Sequence, residues 1–127
     1  MPSILLKRVY DAMNISDGRR ILVDRVWPRG MTKERLRADV WLKSVAPSTG
    51  LRKWFKHNPA KWNGFKDRYF LELDRNPEGV ATLMEALGSG TVTLIYSAKD
   101  SDHNQAVALR EYLYKRFEAR RTTCPRG

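Results

Sequence analysis

The sequence predicts an α/β fold: one compact domain with a small, mostly parallel or mixed sheet of about four strands flanked by helices. Two observations carry the prediction. Short runs rich in β-branched residues alternate along the chain with segments of helical periodicity. The 127 residues, with 42% hydrophobic, suit one core and not two. The domain is expected over residues 1–121, with a flexible C-terminal tail over 122–127.

The elements follow in order. Ile4, Leu5 and Leu6, then Val9 and Tyr10, read as a first strand. The stretch DAMNISDG is a loop, with Asn14, Ser16, Asp17 and Gly18 as turn residues. Arg20 to Asp24 reads as a second strand, whose continuous apolar centre fits burial on both faces. Pro28 and Gly30 stop it, and Thr32 is placed to cap a short helix, KERLRAD. Val40 to Ala46 reads as strand or extended chain closed by Pro47, and Ser48, Thr49 and Gly50 read as a turn before a helical turn at Leu51–Phe55.

Asn58-Pro59 and Asn76-Pro77 each place a good N-cap before a proline at the first helical position. Trp62, Phe65, Tyr69 and Leu73 form the apolar stripe after the first. Val80, Leu83, Met84 and Leu87 form the stripe after the second, ended by Gly88 and Gly90. Thr91 to Ser97 is the clearest strand. AKDSDHNQ leads from it into a long helix with Ala106, Leu109, Leu113 and Phe117 on one side.

Composition bounds the function. No apolar run approaches the roughly 18 residues a membrane span needs, and the N-terminus lacks signal-peptide features; a cytoplasmic protein without membrane attachment is expected. The single cysteine, Cys124, lies in the expected tail, which excludes an intramolecular disulfide and a Cys-rich zinc site. Twenty-four Lys and Arg against 14 Asp and Glu give a formal charge of +10, a balance that favours anionic partners. No cofactor motif is present: P-loop, GxGxxG, GxSxG and HExxH are all absent, and no metal site is expected.

Two strand exits concentrate polar chemistry: Asp24–Gly30 after strand 20–24, and Ser97–Asn104 after strand 91–97. Ligands of open α/β sheets settle beyond the carboxyl ends of parallel strands. If these strands are parallel neighbours, the two loops share a rim. Arg25, Arg29, Arg52 and Lys99 would hold a small phosphorylated or nucleotide-like anion there, with Asn104 and His57 as further ligands. His103, Asp24 and Asp100 are the candidates for proton transfer or for orienting an arginine. The N-terminus of the long helix would add unpaired N–H groups. The alternative is an ion-pair network in which Arg25 and Asp24 pair with Asp100 and Lys99, with Asp102 capping the helix.

A third stretch, LRKWFKHNPAKW over residues 51–62, mixes cations with Trp54, Phe55 and Trp62. It admits a second class of function, a non-catalytic nucleic-acid-binding module. Core packing is the competing reading of each ring, and Trp27 and Trp41 pose the same choice. A third class is a protein-interaction domain with an apolar patch around Trp54 and Phe55. Whether the protein is an enzyme, and how it oligomerises, stay open at this level.

The blocks DGRRILVDRVWPRGMTK, WLKSVAPS, LRKWFKHNPAKWNGFKDRYFLEL and VTLIYSAKDSDHNQAVAL, in that order, resemble the YeaO-like family. These are small bacterial proteins within a broader domain family of unknown function, and the resemblance runs from about Lys7 to Tyr114. It implies a compact cytoplasmic α/β domain and carries over no reaction or substrate. The matching positions are Asp24, Arg25, Trp27, Pro28, Arg29, Gly30 and Lys33, then Trp41, Pro47, Leu51, Arg52 and His57, and finally Asp100, His103 and Asn104. Longer relatives in the broader family place a Cys-His-Arg signature after the last strand. This chain has SAKD there, so no thiol chemistry is carried over.

Overall fold

A computed structural model describes the backbone of residues 2–123 and the side chains of residues 2–119. Four strands, β1 (Ser3–Arg8), β2 (Arg19–Leu22), β3 (Val40–Trp41) and β4 (Thr91–Tyr96), form one sheet in the order β1-β4-β2-β3. Every neighbouring pair is parallel. The last strand in sequence therefore lies between the first two, with Arg20 opposite Thr93 and Leu22 opposite Ile95. All four carboxyl ends point to one edge. Helices α1 (Lys33–Leu36), α2 (Thr49–Phe55), α3 (Trp62–Asp74), α4 (Pro77–Leu87) and α5 (Gln105–Thr123) complete the domain.

Strand side chains alternate between two buried faces. Ile4, Ile21, Val23, Val92, Leu94 and Tyr96 join one core with Phe55, Phe65, Tyr69, Leu73, Leu83, Leu109 and Leu113 from the helices. Val9, Leu22 and Ile95 meet Leu36 on the other face, under Trp27 and Met31. This second face also buries a charge. Arg20, 3% exposed, donates from Nη1 to Asp17 at 2.6 Å and from Nε and Nη2 to the Leu36 carbonyl. Lys7 makes the second ion pair to Asp17. Burial alone would raise the Asp17 carboxyl; the Asn14 N–H, Lys7 and Arg20 outweigh it and hold the group below the ordinary aspartate value.

Local signals explain the element ends, with three corrections to the sequence reading. Thr32 caps α1 through Arg35 N–H, but the helix stops at Leu36, where Arg37 turns left-handed. The stretch 40–46 holds only two strand residues before a tight helical turn at Lys43–Val45. Ser48 begins no separate turn: its Oγ caps α2 at Leu51 N–H, while Glu72 accepts its N–H and hydroxyl and ties α2 to α3. Asn58 and Asn76 cap as expected, Asn58 through a 3-10 turn that runs into α3. Helix α5 reaches Thr123; Cys124 and the remainder of the expected tail lie outside the described residues. Among the described residues, no helix is long and apolar enough to cross a membrane.

Candidate functional site

A cavity of about 900 Å³ opens at the carboxyl edge of the sheet. Because β2 and β4 are parallel neighbours, the loops that follow them face each other across it. Its wall includes Asp24, Arg25 and Arg29 from the first loop, Lys99, Asp100 and Asn104 from the second, and Arg52 and His57 from α2 and its end. The rings of Phe55 and Phe65, stacked 4.4 Å apart between centroids, border it from the core side. The structure thus gathers eight of the nine sequence candidates. His103 is the exception and is not part of the wall. Its Nδ1 meets the Asp100 carboxylate at 2.9 Å, and its ring stands edge-on to Trp62.

Both loops are fixed in place. Arg8, the last residue of β1, donates to the carbonyls of Ala98 and Ser97 and so holds the start of the β4 loop. Tyr10 donates its hydroxyl hydrogen to the Arg29 carbonyl at 3.1 Å. Trp41 donates from Nε1 to the Asp24 carbonyl, Trp27 donates to the Met31 carbonyl, and the two indoles meet edge to face. These two tryptophans therefore secure the Asp24–Gly30 loop. Gly30 completes its turn at φ 79, a conformation side chains disfavour.

The carboxylates tie segments together without the cross-loop ion pairs of the alternative sequence reading. Asp24, 6% exposed, accepts the Ser97 N–H at 3.0 Å and a hydrogen bond from the Gln105 side-chain amide. Burial raises its carboxyl above the ordinary aspartate value, and the hydrogen bonds and the nearby Arg52 charge oppose that rise. Asp100 accepts from the N–H groups of Asp102 and His103. The Asp102 N–H and the His103 ring hold it below the ordinary value. Asp102 does not cap α5. Asn104 does, accepting from Ala106 and Val107 while donating to the Asp100 carbonyl. Two of the amides expected to face a ligand at this helix start, those of Ala106 and Val107, are thus already partnered.

The cations are less committed. Arg25 donates from Nε to the Pro47 carbonyl at 3.1 Å, which aims the guanidinium and leaves its Nη groups available. Arg29, Lys53 and Lys99 make no side-chain hydrogen bond or ion pair among the described residues. Lys53 and Gln105 also border the cavity and were not singled out from the sequence. Lys53 had a signal: it follows Arg52 and precedes His57 by one helical turn. Gln105 had none, because its partner Asp24 is 81 residues away.

The aromatic residues of 51–62 are engaged in packing. Phe55 is buried. Trp54 is covered by the Arg68 guanidinium, 3.8 Å from the ring centroid, and by Lys61. Trp62 stacks on Phe65. Neither a stacking platform nor an apolar patch forms around Trp54 and Phe55. Among the described residues, the most exposed large apolar side chains are Ile15, Val26 and Leu71 instead.

A family model described as the inactive DUF488-N3 subclade matches residues 3–126. The uncharacterised protein YeaO of Escherichia coli is 41% identical over 111 residues, covering 87% of this chain and 96% of that protein. Uncharacterised proteins of Mycobacterium tuberculosis and Mycobacterium bovis are 36% identical over 110 residues, covering 87% of this chain and 92% of theirs. No solved structure gives a significant match.

Proposed function

This chain belongs to the inactive DUF488-N3 subclade, and from that premise we propose that its cavity binds a small phosphorylated or nucleotide-like anion. One observation carries the reading. Arg25, Arg29, Arg52, Lys53 and Lys99 border one cavity with only Asp24 and Asp100 as acids, and neither acid forms an ion pair with any of the five. Like charges gathered without partners repel, and a bound anion relieves that repulsion. A guanidinium held through Nε is pre-aimed for paired hydrogen bonds to phosphate. The apolar border from Phe55 and Phe65 suits the organic part of such a ligand.

Binding, rather than turnover, is the activity proposed. The description of the family as inactive favours it. So does the placement of His103, whose ring lies behind Asp100 instead of at the wall. Asp24 and Asp100 then serve as ligand and loop anchors.

Thermal unfolding with inorganic phosphate, adenosine monophosphate and a single-stranded oligonucleotide tests the reading. A ligand that prefers the native state raises the midpoint. The expected result is a rise with phosphate and a larger one with the nucleotide, both lost in an Arg25→Ala, Arg29→Ala double variant. No rise with either small anion would overturn it. A rise with the oligonucleotide alone, diminishing steeply with salt, would replace it with nucleic-acid binding.

A further inference from the structure

Asp24 is an unusual component of a basic cavity. It is nearly inaccessible, it borders the cavity, and among the described residues it forms no ion pair, although Arg25, Arg29, Arg52, Lys53 and Lys99 share the wall. Its described donors are the Ser97 N–H, the Ser97 side chain and the Gln105 amide. An ionised carboxylate has about four acceptor positions, so acceptor capacity remains. A structural clamp at this point does not require the charge. Asparagine would accept from Ser97 and donate to a flipped Gln105 amide. A buried acceptor-only group beside an anion site makes chemical sense if the ligand brings a donor.

We infer that Asp24 is the specificity residue of the cavity, accepting a hydrogen bond from a hydroxyl or amino group on the carbon skeleton of a phosphate monoester. The inference rests on the anion-binding reading above and narrows it. The preferred ligands are polyhydroxylated phosphates, such as sugar phosphates and nucleoside monophosphates. Bare phosphate and simple alkyl phosphates satisfy the cations and leave Asp24 unanswered. The carboxylate also repels any anion nearby, so its net effect is selection: it weakens all phosphates and returns affinity only to those that carry a donor.

Calorimetric titration of the full chain with methyl phosphate and with ribose 5-phosphate tests this. The unmodified protein should bind ribose 5-phosphate about ten- to a hundredfold more tightly, the range of a hydrogen bond to a charged group. In Asp24→Asn, whose fold is checked by its unfolding transition, methyl phosphate should bind as well or better and the preference should shrink severalfold. Equal affinities in the unmodified protein would overturn the inference without reference to any variant. An equal loss of both ligands in a folded Asp24→Asn would also overturn it, because Asp24 would then act by orienting Arg52. If neither phosphate binds, the anion-binding reading itself fails, and this inference with it.

Discussion

The Asp24 carboxylate, at the exit of β2, accepts the backbone N–H of Ser97, at the exit of β4, at 3.0 Å. One side chain thus locks together the two loops that face the cavity. Asp24→Ala leaves that N–H and the Gln105 amide without their acceptor, and should cost about 1–3 kcal/mol of stability. Asp24→Asn keeps both contacts after one amide flip and should cost less. Urea unfolding of the two variants separates the loss of an acceptor from the loss of a charge.

The same carboxyl sets a pH dependence. Burial raises its folded value above the ordinary 3.8, so the native state binds more protons than the unfolded chain between those two values. Stability contributed by this group is greatest in acid and falls as pH rises through the folded value. The stability of the unmodified protein relative to Asp24→Asn should therefore decline across that window and level off above it. A difference that rises with pH would mean that Arg52 and the hydrogen bonds outweigh burial.

Asp17 works in the opposite direction. Its folded value lies below 3.8 because the Asn14 N–H, Lys7 and Arg20 outweigh its burial. Its contribution is fully present above the unfolded value and is lost as pH falls through the folded one. Asp17→Asn leaves the buried Arg20 guanidinium without its counter-charge and should cost roughly 3–5 kcal/mol. The pair lies away from the cavity, so phosphate affinity measured on the folded fraction should not change.

Lys56 and His57 follow α2 with φ of 47 and 55, left-handed values in residues that have a Cβ. This places His57 at the cavity at a conformational cost. Glycine adopts the geometry freely, so Lys56→Gly should raise stability by about 1 kcal/mol. Gly18 shows the converse. At φ 66, an added Cβ would lie 2.1 Å from the Thr91 carbonyl oxygen. Gly18→Ala should cost roughly 3 kcal/mol or more, combining strain with a backbone clash. Thermal unfolding of the two variants should shift in opposite directions.

These cases show what the sequence could reveal. Strand exits were legible at Asp24 and Ser97, because a strand covered on both faces reads as an apolar run and its end as an abrupt change to charge. Caps at Thr32, Asn58 and Asn76 were legible because capping is local. The insertion of β4 between β1 and β2 was not, since strand order has no local signal. Asn104 displaced Asp102 as the cap of α5 because Asp102 belongs to the turn closed by Asp100. The choice between packing and stacking at Trp54 stayed open in the sequence because its cover, Arg68, lies 14 residues away on the next helix. The buried Arg20 was hidden for a related reason: an arginine opening a strand is ordinarily exposed, and only the Leu36 carbonyl and Asp17 make its burial tolerable.

The two arginines of the first loop should respond differently to the same substitution. Arg25 is aimed by its bond from Nε to the Pro47 carbonyl, leaving the two Nη groups for a ligand. Lysine has neither the fork nor the second contact, so Arg25→Lys should lose nearly as much phosphate affinity as Arg25→Ala, about 1.5–3 kcal/mol. The Arg29 side chain has no described partner, and only its carbonyl is held, by Tyr10. Its contribution is then mostly charge, which lysine retains. Arg29→Lys should keep most of the affinity and Arg29→Ala should lose it, with the loss shrinking as salt screens the charge. Phosphate titrations of the four variants at low and high ionic strength check the contrast. Equal effects of lysine at both positions would mean that the Pro47 contact does not orient Arg25 for the ligand.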